Sequence, residues 1–203
     1  MGCKTKSRPL RHAGCAGIKV IFGLAIADCG LRIFPVNENK SAIRHPPSAM
    51  AFVALGSNLG EARQNVSRAM ARLQDFSDEP VQRSSLIETV PVDCPPGSPN
   101  FVNAAVGLIP KQNETPESLL KKLQALEKEF GRVPKRILNE PRPLDLDLIA
   151  FGRETRNSPD LILPHPRAHL RKFVLQPLNE IAPDLILPGG KKSISQLLAE
   201  RPY

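Results

Sequence analysis

Two carboxylates two residues apart, Asp145 and Asp147, carry the most chemical information in this 203-residue chain. They sit in residues 141–151, P-R-P-L-D-L-D-L-I-A-F, where Leu146, Leu148, Ala150 and Phe151 mark a buried strand. Side chains alternate across a strand, so both acids leave the same face, within roughly 7 Å of each other. Like charges that close on a half-buried surface are costly unless something positive holds them there. Arg142 lies three residues upstream, but one guanidinium does not need two acids on rigid backbone. The pair suits a hard divalent cation, most naturally Mg2+ carrying phosphates. D-x-D pairs also occur by chance at strand ends and in loops, and the spacing alone leaves that alternative standing.

Other polar residues fall where chemistry could use them. Leu120, Gln124 and Glu127 share one side of a helical pattern, bordering its apolar stripe. They make a wall for a flat polar heterocycle such as adenine, or Glu127 is a surface residue snorkelling at the stripe edge. Gly131 and Arg132 open a loop that also holds Lys135 and Arg136, with Arg142 just beyond. Four cations around a carboxylate pair read as phosphate clamps, or as solvated surface. His165 stands between Pro164 and Pro166, which fix an extended backbone, and Arg171 and Phe173 follow closely.

The elements that must position these residues begin at residue 51. A-F-V-A-L is a short strand, ended by Gly56-Ser57-Asn58, which offers turn and helix-cap chemistry. Leu59, Ala62, Val66, Ala69, Met70 and Leu73 then repeat at helical spacing. Residues 81–90 read as extended, 91–99 as a Pro- and Gly-rich loop, and 101–109 as another strand. Thr115-Pro116 gives an N-cap and first-turn proline to a helix striped by Leu119, Leu120, Leu123, Leu126 and Phe130, with Gly131 at its end. The acid-bearing strand follows. This order predicts an α/β (α+β) class and a ferredoxin-like βαββαβ sandwich, with a loop- and helix-rich C-terminal section over 161–201.

Composition locates the charge. The first 49 residues carry eight Lys/Arg against two Asp/Glu, whereas residues 50–203 carry twenty against eighteen. The body is nearly neutral, which argues against a nucleic-acid partner. Three of the four cysteines, Cys3, Cys15 and Cys29, lie in the first 49 residues and Cys94 in the body, so no disulfide framework is expected and a cytoplasmic location is. No apolar run approaches the roughly 20 residues needed to span a membrane. Residues 1–49 lack a clean period and make a poor signal or transit peptide. They are expected to be a disordered or over-extended start, with residues 50–203 as the functional domain.

Five ordered motifs carry a resemblance. They are A-L-G-S-N-L-G at 54–60, F-V-N-A-A-V at 101–106, E-x-x-x-G-R at 127–132, P-R-P-L-D-L-D at 141–147 and P-H-P-R-x-x-x-R-x-F-V-L-x-P-L at 164–178. The chain resembles the 6-hydroxymethyl-7,8-dihydropterin pyrophosphokinases of folate biosynthesis over about residues 51–188. The resemblance implies transfer of pyrophosphate from ATP to the pterin hydroxymethyl oxygen, with release of AMP. It implies two Mg2+ ions on Asp145 and Asp147, and Arg132 and Arg142 stabilising the transferring group. By the same resemblance Leu120, Gln124, Glu127, Arg142, Leu148, His165 and Arg171 match ATP-binding positions. Phe101 and Phe173 match an aromatic pair sandwiching the pterin, with Asn103 and the backbone of Thr89, Val90 and Val92 reading its polar edge. Core packing is the alternative for both Phe. A monomer is expected; a single activity is expected as well, because the length leaves no room for a second folate-pathway domain.

Some positions depart from the family pattern. Pro134 stands where a second loop arginine is common, residues 137–140 lack the usual arginine and tryptophan, and Phe101 replaces a common Tyr. These bear on the loop's action as a lid and on product release, not on the acid pair. Two other classes compete: a D-x-D glycosyltransferase, which normally needs a larger nucleotide domain, and an RNA-binding ferredoxin-like module, whose aromatic run is absent here.

Overall fold

The apolar run at the start of the body becomes β1, Ala51–Ser57, with all seven residues buried. The structure is a computed structural model describing residues 50–91, 94–133 and 140–201, all within one unit, Ile43–Tyr203. The elements continue as α1 (Ala62–Arg72), β2 (Gln82–Arg83), β3 (Ile87–Thr89), β4 (Phe101–Leu108), α2 (Pro116–Glu129), β5 (Asp145–Phe151), β6 (Arg156–Asn157), β7 (Ile162–Leu163), α3 (Lys172–Ile181) and α4 (Ile194–Ala199). The main sheet runs β2-β4-β1-β5, with β3 also on β4 and the described pairings antiparallel. This is the ferredoxin-like arrangement expected, its second strand split in two.

The split has a local cause. Ser84 still pairs with β4, donating its N–H to Ala105 O and accepting the Ala105 N–H on Oγ. Ser85 then turns away, giving its N–H and hydroxyl to the Glu180 carboxylate on α3 at 2.7 Å each.

Strand alternation sorts the core into two clusters on opposite faces of the sheet. Val53, Leu55, Leu146 and Leu148 pack under α1 and α2 with Val66, Leu73, Leu119, Leu123 and Leu126. Phe52, Ala54, Ala105 and Ile149 pack under α3 and α4 with Val174, Leu175, Leu178 and Ile194. The C-terminal section is therefore a third layer, and each fully buried Leu in it contributes about 2 kcal/mol of transfer free energy. Amphipathic α3 is what closes this second face.

Two expected boundaries differ. Ser57 belongs to β1, and α1 begins only at Ala62 after Glu61, whose side chain makes no cap. Asn58 caps nothing there. It is 2% exposed, and its Oδ1 accepts the Arg142 N–H at 2.9 Å while its own N–H donates to Arg142 O at 3.2 Å. Strand β5 begins at Asp145, not 141, because Pro141 and Pro143 remove ladder donors and the segment is held by Asn58 instead. A bulge also interrupts β5. Phe52 faces Ala150 while Val53 faces Leu148, leaving Ile149 as the extra residue, whose carbonyl accepts the His165 N–H at 2.9 Å.

Candidate active site

Register alone puts the acids beside Asn103. Gly56 lies between Asp145 on β5 and Asn103 on β4, and Ala54 lies between Asp147 and Ala105. All face the α3 side of the sheet. The middle strand must be small there, because a Cβ on Gly56 would stand 3.2 Å from Asn103 Oδ1. Above this floor lies a cleft of about 720 Å3, a volume suited to a small-molecule ligand.

The cleft gathers Asp145, Asp147, Arg142, Arg171, Thr89, Val90, Phe101, Asn103 and Phe173, all singled out from sequence. Asn103 Nδ2 donates to Thr89 Oγ1 at 2.8 Å, fixing the amide beside β3. Phe173 enters from the first turn of α3 and Phe101 from the first residue of β4.

Arg132 and Glu127 form a separate wall. Helix α2 opens with a reciprocal Thr115–Ser118 capping box and closes at Gly131 with φ 87°. Gly131 N–H bonds Lys128 O and Arg132 N–H bonds Glu127 O, a Schellman closure that folds Arg132 back over Glu127. The Arg132 guanidinium then pairs with both Glu127 and Asp145. Glu127 is 7% exposed, not a snorkelling surface residue, and it accepts the Leu146 N–H at 2.7 Å. Burial pushes its carboxyl up to about 7, against the pull of that N–H and of Arg132.

The acid pair is electrostatically loaded. Burial, and then the neighbouring Asp145, push Asp147 above the usual carboxylate range, while His165, Arg171 and Arg142 pull it back. Burial lowers His165, whose Nδ1 accepts the Arg167 N–H, so its proton is assigned to Nε2. Burial and the neighbouring Arg167 lower Arg171. Among the described residues no third His, Cys, Asp or Glu joins the two acids in a metal-holding group. That donor set fits Mg2+, which typically takes one or two carboxylates and completes its shell with water and phosphate oxygens.

Other expected residues stand outside the cleft. Leu120 is half-buried against the α1/α2 cluster, Gln124 is exposed on α2, and the Leu148 side chain lies in that same cluster. His165 sits at the β5 edge. Val92, Pro134, Lys135, Arg136, residues 137–139 and residues 1–49 lie outside the described residues. The cleft also holds residues not anticipated: Cys94, Arg167, Leu170, Lys172 and Gln176. Arg167, Leu170, Lys172 and Gln176 fall inside the 164–178 motif, whose proximity to Arg171 and Phe173 was the available signal. Asn58, inside the 54–60 motif, has the residue type of a helix cap but serves as a tether for Arg142. Cys94 carried no signal.

Residues 52–183 match the family described as 7,8-dihydro-6-hydroxymethylpterin-pyrophosphokinase. The 2-amino-4-hydroxy-6-hydroxymethyldihydropteridine pyrophosphokinase of Pseudomonas aeruginosa is 40% identical over 155 residues, covering 75% of this chain and 91% of the relative. The Bacillus subtilis protein of that name is 39% identical over 133 residues, covering 65% and 77%. The folic acid synthesis protein fol1 of Pneumocystis carinii is 34% identical over 190 residues, 94% of this chain but 24% of the relative. In fold, the chain is similar to a solved HPPK-DHPS complexed with substrates, at TM-score 0.58 and 13% identity, covering 74% of this chain and 43% of that one.

Proposed function

Since the chain belongs to the 7,8-dihydro-6-hydroxymethylpterin-pyrophosphokinase family, we propose a residue-level account of how it works. It transfers pyrophosphate from ATP to 6-hydroxymethyl-7,8-dihydropterin in tetrahydrofolate biosynthesis, giving AMP and the pterin diphosphate. The observation that carries the account is the common cleft, where the Asp145/Asp147 pair faces Phe101, Asn103 and Phe173 across the small residues of β1.

Phe101 and Phe173 take the two faces of the pterin, and offset ring contacts add about 1 kcal/mol each. Asn103, anchored by Thr89, reads the polar edge together with the backbone of Thr89, Val90 and Val92. Asp145 and Asp147 would hold Mg2+, two ions by family resemblance, which when bound neutralises triphosphate charge during in-line displacement. Arg132 and Arg142 stabilise the transferring group through charge-assisted hydrogen bonds. Arg171 binds the triphosphate from the start of α3.

The nucleotide base lies outside the cleft, along the outer edge of β5. Leu146 N–H points away from β1 toward Glu127, so Leu148 N–H, two residues on, points the same way. Leu148 backbone, Leu120 and Gln124 on α2, and His165 then surround the adenine. Neutral His165 presents Nε2–H as a donor.

The functional domain begins near Met50 and acts as a cytoplasmic monomer without nucleic-acid or membrane partners. No helix among the described residues is long and apolar enough to cross a membrane. The deciding assay is AMP release from ATP that requires both Mg2+ and the hydroxymethyl-dihydropterin. Absence of that dependence in folded protein would defeat the proposed roles.

A further inference from the structure

The acid pair already has partners. Asp145 Oδ1 binds Arg132 Nη1 at 2.7 Å and Asp145 Oδ2 binds Arg142 Nη2 at 2.6 Å. Asp147 Oδ2 lies 3.5 Å from Arg171 Nη1. The side chains of Arg132, Arg142 and Asp145 are each under a fifth exposed, so water screens these pairs weakly. A divalent ion bonds carboxylate oxygens directly, and one oxygen lone pair cannot serve both it and a guanidinium at full strength.

Each arginine also has a second hold. Arg132 pairs with Glu127, which belongs to α2 and is itself fixed by the Leu146 N–H. Arg142 lies 5.7 Å over the Phe101 ring, and Arg171 lies 5.5 Å over the Phe173 ring. Such contacts keep a displaced cation in the cleft rather than losing it to solvent.

We propose that Arg132 and Arg142, with Arg171 assisting, are resident counter-ions of the acid pair, which a divalent cation must displace. The displaced guanidinium groups then pass to the phosphates that arrive with the metal. Metal alone therefore binds poorly, and metal with ATP binds well, because only the second exchange leaves every arginine paired. This rests on the reading of Asp145 and Asp147 as metal ligands.

Calorimetric titration of the metal-stripped full chain tests it, with Mg2+ alone and then with Mg2+ plus a non-hydrolysable ATP analogue. Arg132→Gln should tighten Mg2+ alone about tenfold, the equivalent of one competing charge-assisted hydrogen bond, while weakening binding of the Mg2+–analogue pair. Arg167→Gln, in the cleft but without a bond to either acid, should change Mg2+ alone by less than about twofold. Unchanged or weaker Mg2+ binding in Arg132→Gln, or an equal gain in Arg167→Gln, overturns the exchange. Asp145→Asn that still binds the Mg2+–analogue pair as tightly as the native chain removes the metal reading beneath it. On the unaltered chain, the 15N side-chain resonances of Arg132 and Arg142 should move when Mg2+ and the analogue are added together. Resonances that stay fixed also overturn the exchange.

Discussion

Asp145 and Asp147 have different surroundings, and their substitutions should read differently. Asp145 is paired with an arginine at each oxygen, whereas Asp147 is raised mainly by burial. Asp145→Ala and Asp147→Ala should each lower AMP release by at least about a hundredfold, through loss of charge placement on the phosphates. Circular dichroism should stay near native for both, since neither side chain belongs to an apolar cluster. Retained turnover in either variant would refute its assignment. Phe101→Ala and Phe173→Ala should raise the pterin KM about fivefold or more while leaving the ATP KM close to native, given the stacking energy each ring supplies. If the ATP KM moves equally, the rings act as packing and not as a pterin clamp.

At the level of elements, Glu127 ties α2 to β5 and is therefore a stability group as well as an arginine anchor. Its carboxyl titrates at about 7 in the fold against an ordinary 4.5, so between those values the native state holds a proton that the unfolded chain releases. Stability from this group is full below pH 4.5 and falls as pH rises through 7. Denaturant melts of the native chain should lose up to about 3 kcal/mol across that window relative to Glu127→Gln. A flat difference between the two proteins would reject the raised value. Asn58 is the other connector, joining the end of β1 to the arginine that precedes β5. Asn58→Ala should cost about 2 kcal/mol by orphaning the Arg142 N–H, and should lower kcat through a misplaced Arg142. A stability loss without any kcat change would limit Asn58 to a structural role.

For the whole molecule, Met50 carries the test of where the functional domain starts. Met50 is 4% exposed, its carbonyl accepts the Gly152 N–H at 2.8 Å, and its side chain fills the space beside Gly107. A chain beginning at Met50 should keep native melting and activity. One beginning at Ala51 should be about 2 kcal/mol less stable, because the Gly107 site loses its cover. An abundant native peptide from residues 12–32, found by mass spectrometry, would refute a start at Met50.

The sequence determined the order of elements, because periodicity, the Thr115–Pro116 cap and the Gly131 terminator are local signals that tertiary packing had no reason to override. It also determined that Asp145 and Asp147 share a face, since strand geometry alone requires it. Tertiary structure decided what that face meets. Register placed Gly56 and Ala54 between the acids and Asn103, the apolar stripe of α3 brought Phe173 and Arg171 over the same floor, and Asn58 became a tether for Arg142. None of these contacts joins neighbours in the chain, so periodicity and spacing could not carry them, and only the resemblance of the five ordered motifs grouped Asn103, Phe173 and Arg171 with the acids. The charge state of Glu127 was equally out of reach of sequence, because burial of a carboxyl is a property of the neighbours that surround it.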